Sequence, residues 1–214
     1  MKDLLYKEFR LWWYPGLFFF LLAGLLLLIP TWPFFIAFWY IFIGFSISFA
    51  AGKENQDVFF TVSLPVRKRD VIRARVYAVA IIELLQIVAG IPFAIINNLL
   101  YLHGNSAGMN TNFAFFGVTF LSYAIFNLIF LPGFYKTAYK VISMLWAIIT
   151  AVVCGAAINV VIMLIPVLRT NLNGLGATHF ASQFSVLIAG IVFFILLTFL
   201  AYRMSANRFE KVDL

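Results

Sequence analysis

Residues 53–75 read KENQDVFFTVSLPVRKRDVIRAR, a charged island between apolar runs at 33–51 and 76–101. Each flanking run is long enough for a bilayer core of roughly 30 Å, which takes about 20 residues of helix. The island holds six of the chain's fifteen Lys and Arg and three of its eight Asp and Glu. It is large enough for a small docking element and too small for a catalytic domain. Its place between two such runs sets the expected fold class: all-α and polytopic in a membrane.

The rest of the chain follows the same pattern. Of 214 residues, 64% are hydrophobic and 11% charged, whereas a soluble domain is about half apolar and a quarter charged. Six runs read as transmembrane helices, at about 14–29, 33–51, 76–101, 113–131, 141–165 and 184–202. They are continuous rather than alternating, which favours helices over barrel strands. Pro30-Thr31-Trp32-Pro33 allows only a tight hairpin between the first two. The whole chain, 1–214, reads as one membrane domain.

The net charge of +7 does not indicate nucleic acid, because the bases sit in loops, where positive charge sets orientation. With a cytoplasmic N-terminus, Lys2, Lys7, Arg10, the island's six bases, Lys136, Lys140, Arg203, Arg208 and Lys211 all lie inside. Only Arg169 of the fifteen is left outside, so both termini are expected in the cytoplasm.

Residues 1–13 carry Leu5, Phe9 and Trp12 at helical spacing, with Lys2, Asp3, Lys7, Glu8 and Arg10 around the rest of the turn. This suits a helix lying in the cytoplasmic interface, ended by Pro15-Gly16; an ordinary basic flank is the alternative. The acidic residues and the lack of an A-x-A-like site argue against a cleaved signal peptide. Residues 166–183, PVLRTNLNGLGATHFASQ, are polar and expected outside, either as a re-entrant element or as a solvated loop.

No catalytic constellation emerges. His103 and His179 fall in loops without a carboxylate or Cys neighbour, and Cys154 lies alone in an apolar run. Gly44-Phe45-Ser46 is followed by Ile47 and has no histidine in a span to serve as its base. No G-x-x-x-x-G-K-[ST] sequence occurs, so any ATP would be bound by a partner. Glu83 is the only carboxylate within a span, with Gln86 one turn further along the same face. The pair could line a substrate path; alternatively Glu83 could reach Arg75 or headgroup water. Asn97, Asn98, Asn127 and Asn159 read as amides that tie helices together.

Within the island, Glu54 to Asp57 precede a short apolar set, Val58, Phe59, Phe60 and Val62, and Pro65 breaks the segment before Arg67-Lys68-Arg69-Asp70. A short helix held there with exposed aromatics could insert into a groove on a soluble partner. Its aromatics could equally rest among headgroups.

The phrase Ser63-Leu64-Pro65-Val66-Arg67, with Glu54, Asp57, Asp70 and Arg75 around it, resembles the membrane subunit of ABC-2 type exporters of the compact bacterial kind. The resemblance spans the whole chain and makes the island a cytoplasmic coupling helix seated in a cleft of a separate ATPase. It implies coupling roles for Glu54, Asp57, Phe59, Phe60, Arg67 and Asp70, with Glu83 and Gln86 as candidates for the substrate path. It further implies two permease copies, two ATPase subunits carrying the ATP and Mg, no cofactor in this chain, and a bacterial cell membrane. The outer segment would form short re-entrant helices. Aromatic content, with 26 Phe, 5 Trp and 9 Tyr, is similar to that of permeases exporting amphipathic peptides such as phenol-soluble modulins. The alternative function is a membrane immunity or assembly subunit that binds peptides or lipids without pumping them.

Overall fold

The structure, a computed structural model, describes residues 2–12, 16–29, 31–101, 104–137, 142–175 and 177–211. Trp13, Tyr14, Pro15, Pro30, His103, Lys140 and Val141, which enter the readings above, lie outside the described residues. Among the described residues helix is the only regular structure. The elements are α1 (Lys2–Lys7), running into a π-helical turn Glu8–Trp12, then α2 (Leu17–Leu21), continued as a 3-10 helix Leu22–Leu28. After them come α3 (Phe35–Glu54), α4 (Asp57–Ser63), α5 (Lys68–Leu100), α6 (Phe113–Thr137), α7 (Ile142–Leu164), α8 (Pro166–Asn173) and α9 (Phe180–Phe209). A 3-10 turn, Ala177–His179, leads into α9.

Among the described residues five helices, α3, α5, α6, α7 and α9, are long and apolar enough to cross a membrane. The run expected as the first span is shorter. Its α and 3-10 pieces together rise about 21 Å, less than the roughly 30 Å of a bilayer core. Even so, the segment tracks α5 along its length. Glu8 pairs with Arg75, the Phe20 carbonyl accepts from Gln86 Nε2 at 3.1 Å, and the Leu27 carbonyl accepts from Asn97 Nδ2 at 2.6 Å. The Leu28 carbonyl takes the Tyr101 hydroxyl at 3.1 Å. Between Arg75 and Asn97, α5 rises about 33 Å. The 3-10 stretch gains length per residue and leaves its last carbonyls unpaired, and Asn97 and Tyr101 satisfy two of them.

The bundle has two unlike ends. At one, Glu8 meets Arg75, Arg69 meets Glu210 beyond α9, and Arg208 donates to the Pro132 carbonyl near the end of α6 at 2.8 Å. We call this the basic end. The opposite end is built from amides. Asn110 donates two hydrogen bonds of 2.7 Å to Asn173, from its backbone amide to Oδ1 and from Nδ2 to the carbonyl, and Asn112 Nδ2 donates to the Leu172 carbonyl at 2.7 Å. These bonds draw α8 back onto the segment before α6. Within 166–183 the described residues include α8, a 3-10 turn and the first turn of α9.

The core is aromatic. Phe35, Phe38, Phe42, Phe45 and Phe49 recur every three or four residues along one side of α3 and are buried. They meet α6: Phe42 stacks on Phe126 at 4.3 Å between centroids, and Phe49 meets Phe130 edge-on at 4.6 Å. Such pairs contribute about 0.5–1.5 kcal/mol each beyond area burial. Many of the aromatics that could have faced lipid therefore pack inside, while exposed aliphatics such as Leu145, Ile149 and Val153 cover α7. At the α6–α9 crossing, a Cβ on Gly190 would strike the Gly117 carbonyl, so only glycine permits that approach.

Candidate coupling site

Gln56 lies in the left-handed region, with φ of 50°, and separates α3 from α4. Pro65 offers no amide to prolong α4, and Arg67 in extended backbone caps the start of α5. The basic half of the island is therefore the first two turns of a 33-residue helix. The helix that carries the apolar run 76–101 begins earlier, at Lys68, because Arg and Lys are good helix formers and nothing interrupts them.

Seven residues give α4 two turns with unlike faces. Asp57 and Thr61, four apart, point inward; Thr61 is fully buried and its hydroxyl donates to the Asp57 carbonyl at 2.7 Å. Phe59 and Phe60 point outward, 42% and 59% exposed. Glu54 and Arg67 are also exposed, and Asp70 is partly covered.

The inward face of α4 closes a four-charge cluster. Lys7 Nζ stands 2.7 Å from the Asp57 carboxylate and 3.1 Å from that of Glu8, and it donates to Thr61 Oγ1. The Arg75 guanidinium pairs with both Glu8 and Asp57 and lies over the Phe49 ring at 5.4 Å. Glu8 and Arg75 are 1% and 5% exposed. Two cations and two carboxylates balance, which is what allows such burial. Burial alone would raise the Asp57 carboxyl, but the Arg75 guanidinium and the Lys7 ammonium outweigh it and hold it below the usual carboxylate range. Glu8, expected on the polar side of an interfacial helix, instead ties the N-terminal segment to α5.

A second tie lies beside it. Arg69 grips Glu210 through Nε and Nη2, the latter at 2.9 Å, and Lys68 sits over the Phe209 ring at 5.8 Å. The Arg69 bonds hold the exposed Glu210 carboxyl below its ordinary range. The start of α5 is thereby fastened to the N-terminal segment, to α4 and to the end of α9.

Glu83 and Gln86 are remote from this site and buried. Glu83 Oε2 accepts from Asn127 Nδ2 at 2.8 Å, and that amide also reaches Thr198 Oγ1 at 3.3 Å, joining α5, α6 and α9. Glu83 Oε1 and Asn127 Oδ1 are buried without a hydrogen-bond partner among the described residues. Gln86 donates to the Phe20 and Ala37 carbonyls and accepts from the Tyr123 hydroxyl. Protein surrounds both side chains.

Residues 3–210 match the family of ABC-2 family transporter proteins. The chain belongs to that family. No curated protein and no solved structure gives a significant match. As an ABC-2 permease subunit it is a multi-pass membrane component of an ABC transporter, a role that implies association with an ABC ATPase.

Sequence reading assigned Asp57 a coupling role alongside Phe59 and Phe60, and in this ABC-2 permease its carboxylate faces inward, away from the two rings. It missed Lys7, Glu8, Thr61 and Arg75 as a unit. The i, i+4 spacing of Asp57 and Thr61 marked an inward polar face, but nothing local ties residues 7 and 8 to residue 75. Among the described residues no three His, Cys, Asp or Glu side chains gather to hold a metal ion.

Proposed function

We propose that the chain is the permease of an ATP-driven exporter that moves amphipathic or hydrophobic substrates, peptides foremost, out of a bacterial cell. The observation that carries this reading is α4: two exposed phenylalanines on a helix whose other face is pinned by buried ion pairs. A projecting apolar knob on a rigid mount suits a groove in a soluble partner and transmits force through its mount. Phe59 and Phe60 make the contact, with Glu54, Arg67 and Asp70 around them. Asp57 is the fastener that passes motion of α4 to Arg75 and so to α5.

In this reading the basic end is cytoplasmic and the chain crosses the membrane six times, the N-terminal segment from Glu8 to Leu28 making the first crossing beside α5. The contacts of residues 8, 20, 27 and 28 along about a bilayer's depth of α5 support that count. Two permeases pair, and two ATPase subunits bind ATP and Mg and press on the two α4 helices. Glu83 and Gln86 are the polar candidates for the path, reached only when α5 parts from α6.

Co-purification with the cognate ATPase tests the reading. Tagged permease brings down the ATPase, and Phe59→Ala with Phe60→Ala abolishes ATP-dependent substrate accumulation in inverted vesicles. Substrate binding without ATP dependence, and no ATPase recovered with the folded permease, would instead support a non-pumping immunity or assembly subunit.

A further inference from the structure

A groove of about 790 Å³ opens between α5, α6 and α9 in the half of the bundle remote from α4. That volume lies within the roughly 300–1,000 Å³ of ligand pockets. Along α5 it runs from Leu84 to Asn98, about 21 Å of helix, comparable with one leaflet, acyl chain and head-group region together, of a bilayer about 40–45 Å thick. Val88, Ile91 and Ile95 line it and are 60%, 41% and 56% exposed, so it opens sideways to where lipid lies. Phe113 and Phe180, edge to face at 5.1 Å, stiffen one wall.

Its chemistry is polarised. The deep part is hydrocarbon and aromatic, whereas the end nearest the amide-built face carries Asn98, Thr111, Asn112 and Gln183. These are held in place: Asn98 Nδ2 donates to the Thr111 carbonyl at 2.9 Å, Thr111 Oγ1 donates to Asn98 Oδ1 at 3.0 Å, and Gln183 Nε2 donates to the Gly174 carbonyl at 2.7 Å. No described lining residue carries a charge.

We infer that this groove seats an acyl chain of a bilayer lipid whose head group is electrically neutral overall. The groove's length matches one leaflet, its mouth faces the bilayer, and its amide rim lies at head-group depth. An uncharged rim offers hydrogen bonds without preference for an anionic head. A helix from a second copy would run past both leaflets and would not need a polar rim at one end. The seated chain lies against Leu175 and Gly174, so it also supports the α8–α9 connection that caps the groove.

Photolabelling tests this with the full chain in phosphatidylcholine nanodiscs containing a minor fraction of diazirine-tailed phosphatidylcholine. Label is expected on peptides bearing Ile91, Ile95 and Phe116 at roughly tenfold the level on α7 peptides bearing the exposed Val160 and Leu164, a ratio that corresponds to about 1.4 kcal/mol. Ile91→Trp with Ile95→Trp fills the groove and removes the excess, whereas Val160→Trp leaves it unchanged. If the double variant does not fold, Ile95→Trp alone should lower the excess at an unchanged melting temperature. Equal labelling of the two surfaces overturns the inference. Disulfide formation between Ile95→Cys copies also overturns it, because a second permease would then fill the groove.

Discussion

Arg75 brings a guanidinium to 5% exposure, and carboxylates from the N-terminal segment and from α4 meet it there. Removing one member of such a cluster strands a buried charge. Arg75→Ala should therefore cost about 3–5 kcal/mol, read as a fall in the melting temperature of the detergent-solubilised protein. The Asp57 carboxyl titrates below its unfolded value of 3.8, so its stabilisation is complete above that pH. It is lost as pH falls from there through the lowered folded value. The melting-temperature gap between wild type and Asp57→Asn should accordingly persist at neutral pH and close only below 3.8. A gap that closes near neutrality contradicts the cluster. The island's composition announced charged residues of both signs, but not which of them turn inward. That choice depends on Lys7 and Glu8, about fifty residues earlier in the chain, and local periodicity carries no information about such a pairing.

The helix α4 combines opposite demands, an inner face that must not move relative to α5 and an outer face that presents exposed rings. Phe59→Ala and Phe60→Ala should each change stability by less than about 0.5 kcal/mol, as exposed positions do. The same changes should weaken ATPase binding by about 2 kcal/mol if these rings are interface anchors, measured by titration of labelled ATPase against permease in nanodiscs. At the α6–α9 crossing, Gly190→Val should cost about 1–3 kcal/mol by forcing two backbones apart, read by thermal unfolding. The five long helices were legible because an apolar run of sufficient length is a local property of the chain. The 3-10 form of Leu22–Leu28 was not, since it is selected by contacts with Asn97 and Tyr101 along α5. The inward packing of the α3 phenylalanines was hidden for a related reason. In an apolar solvent, hydrophobicity alone does not separate a core face from a lipid face.

Across the whole molecule, the basic end and the amide end give the bundle a polarity that matches the one-sided placement of its bases. In intact cells carrying Cys154→Ser, Arg169→Cys should react with an impermeant maleimide and Arg67→Cys should be protected until the membrane is opened. The reverse pattern would place α4 on the wrong side for any ATPase. Family membership and charge asymmetry were both readable from the sequence. The rigid mount under α4 and the groove at the opposite end required the fold, because each is assembled from residues far apart in the chain. The central claim is that α4 docks on the ATPase through its outer face while its inner face is locked to α5. A photo-crosslinking amino acid at position 60, in permease reconstituted with the cognate ATPase, addresses this most directly. The account predicts a covalent permease–ATPase product that is lost when the same probe replaces inward-facing Thr61 in a variant that still folds. Crosslinks from position 60 to lipid alone, with the ATPase bound, would contradict it.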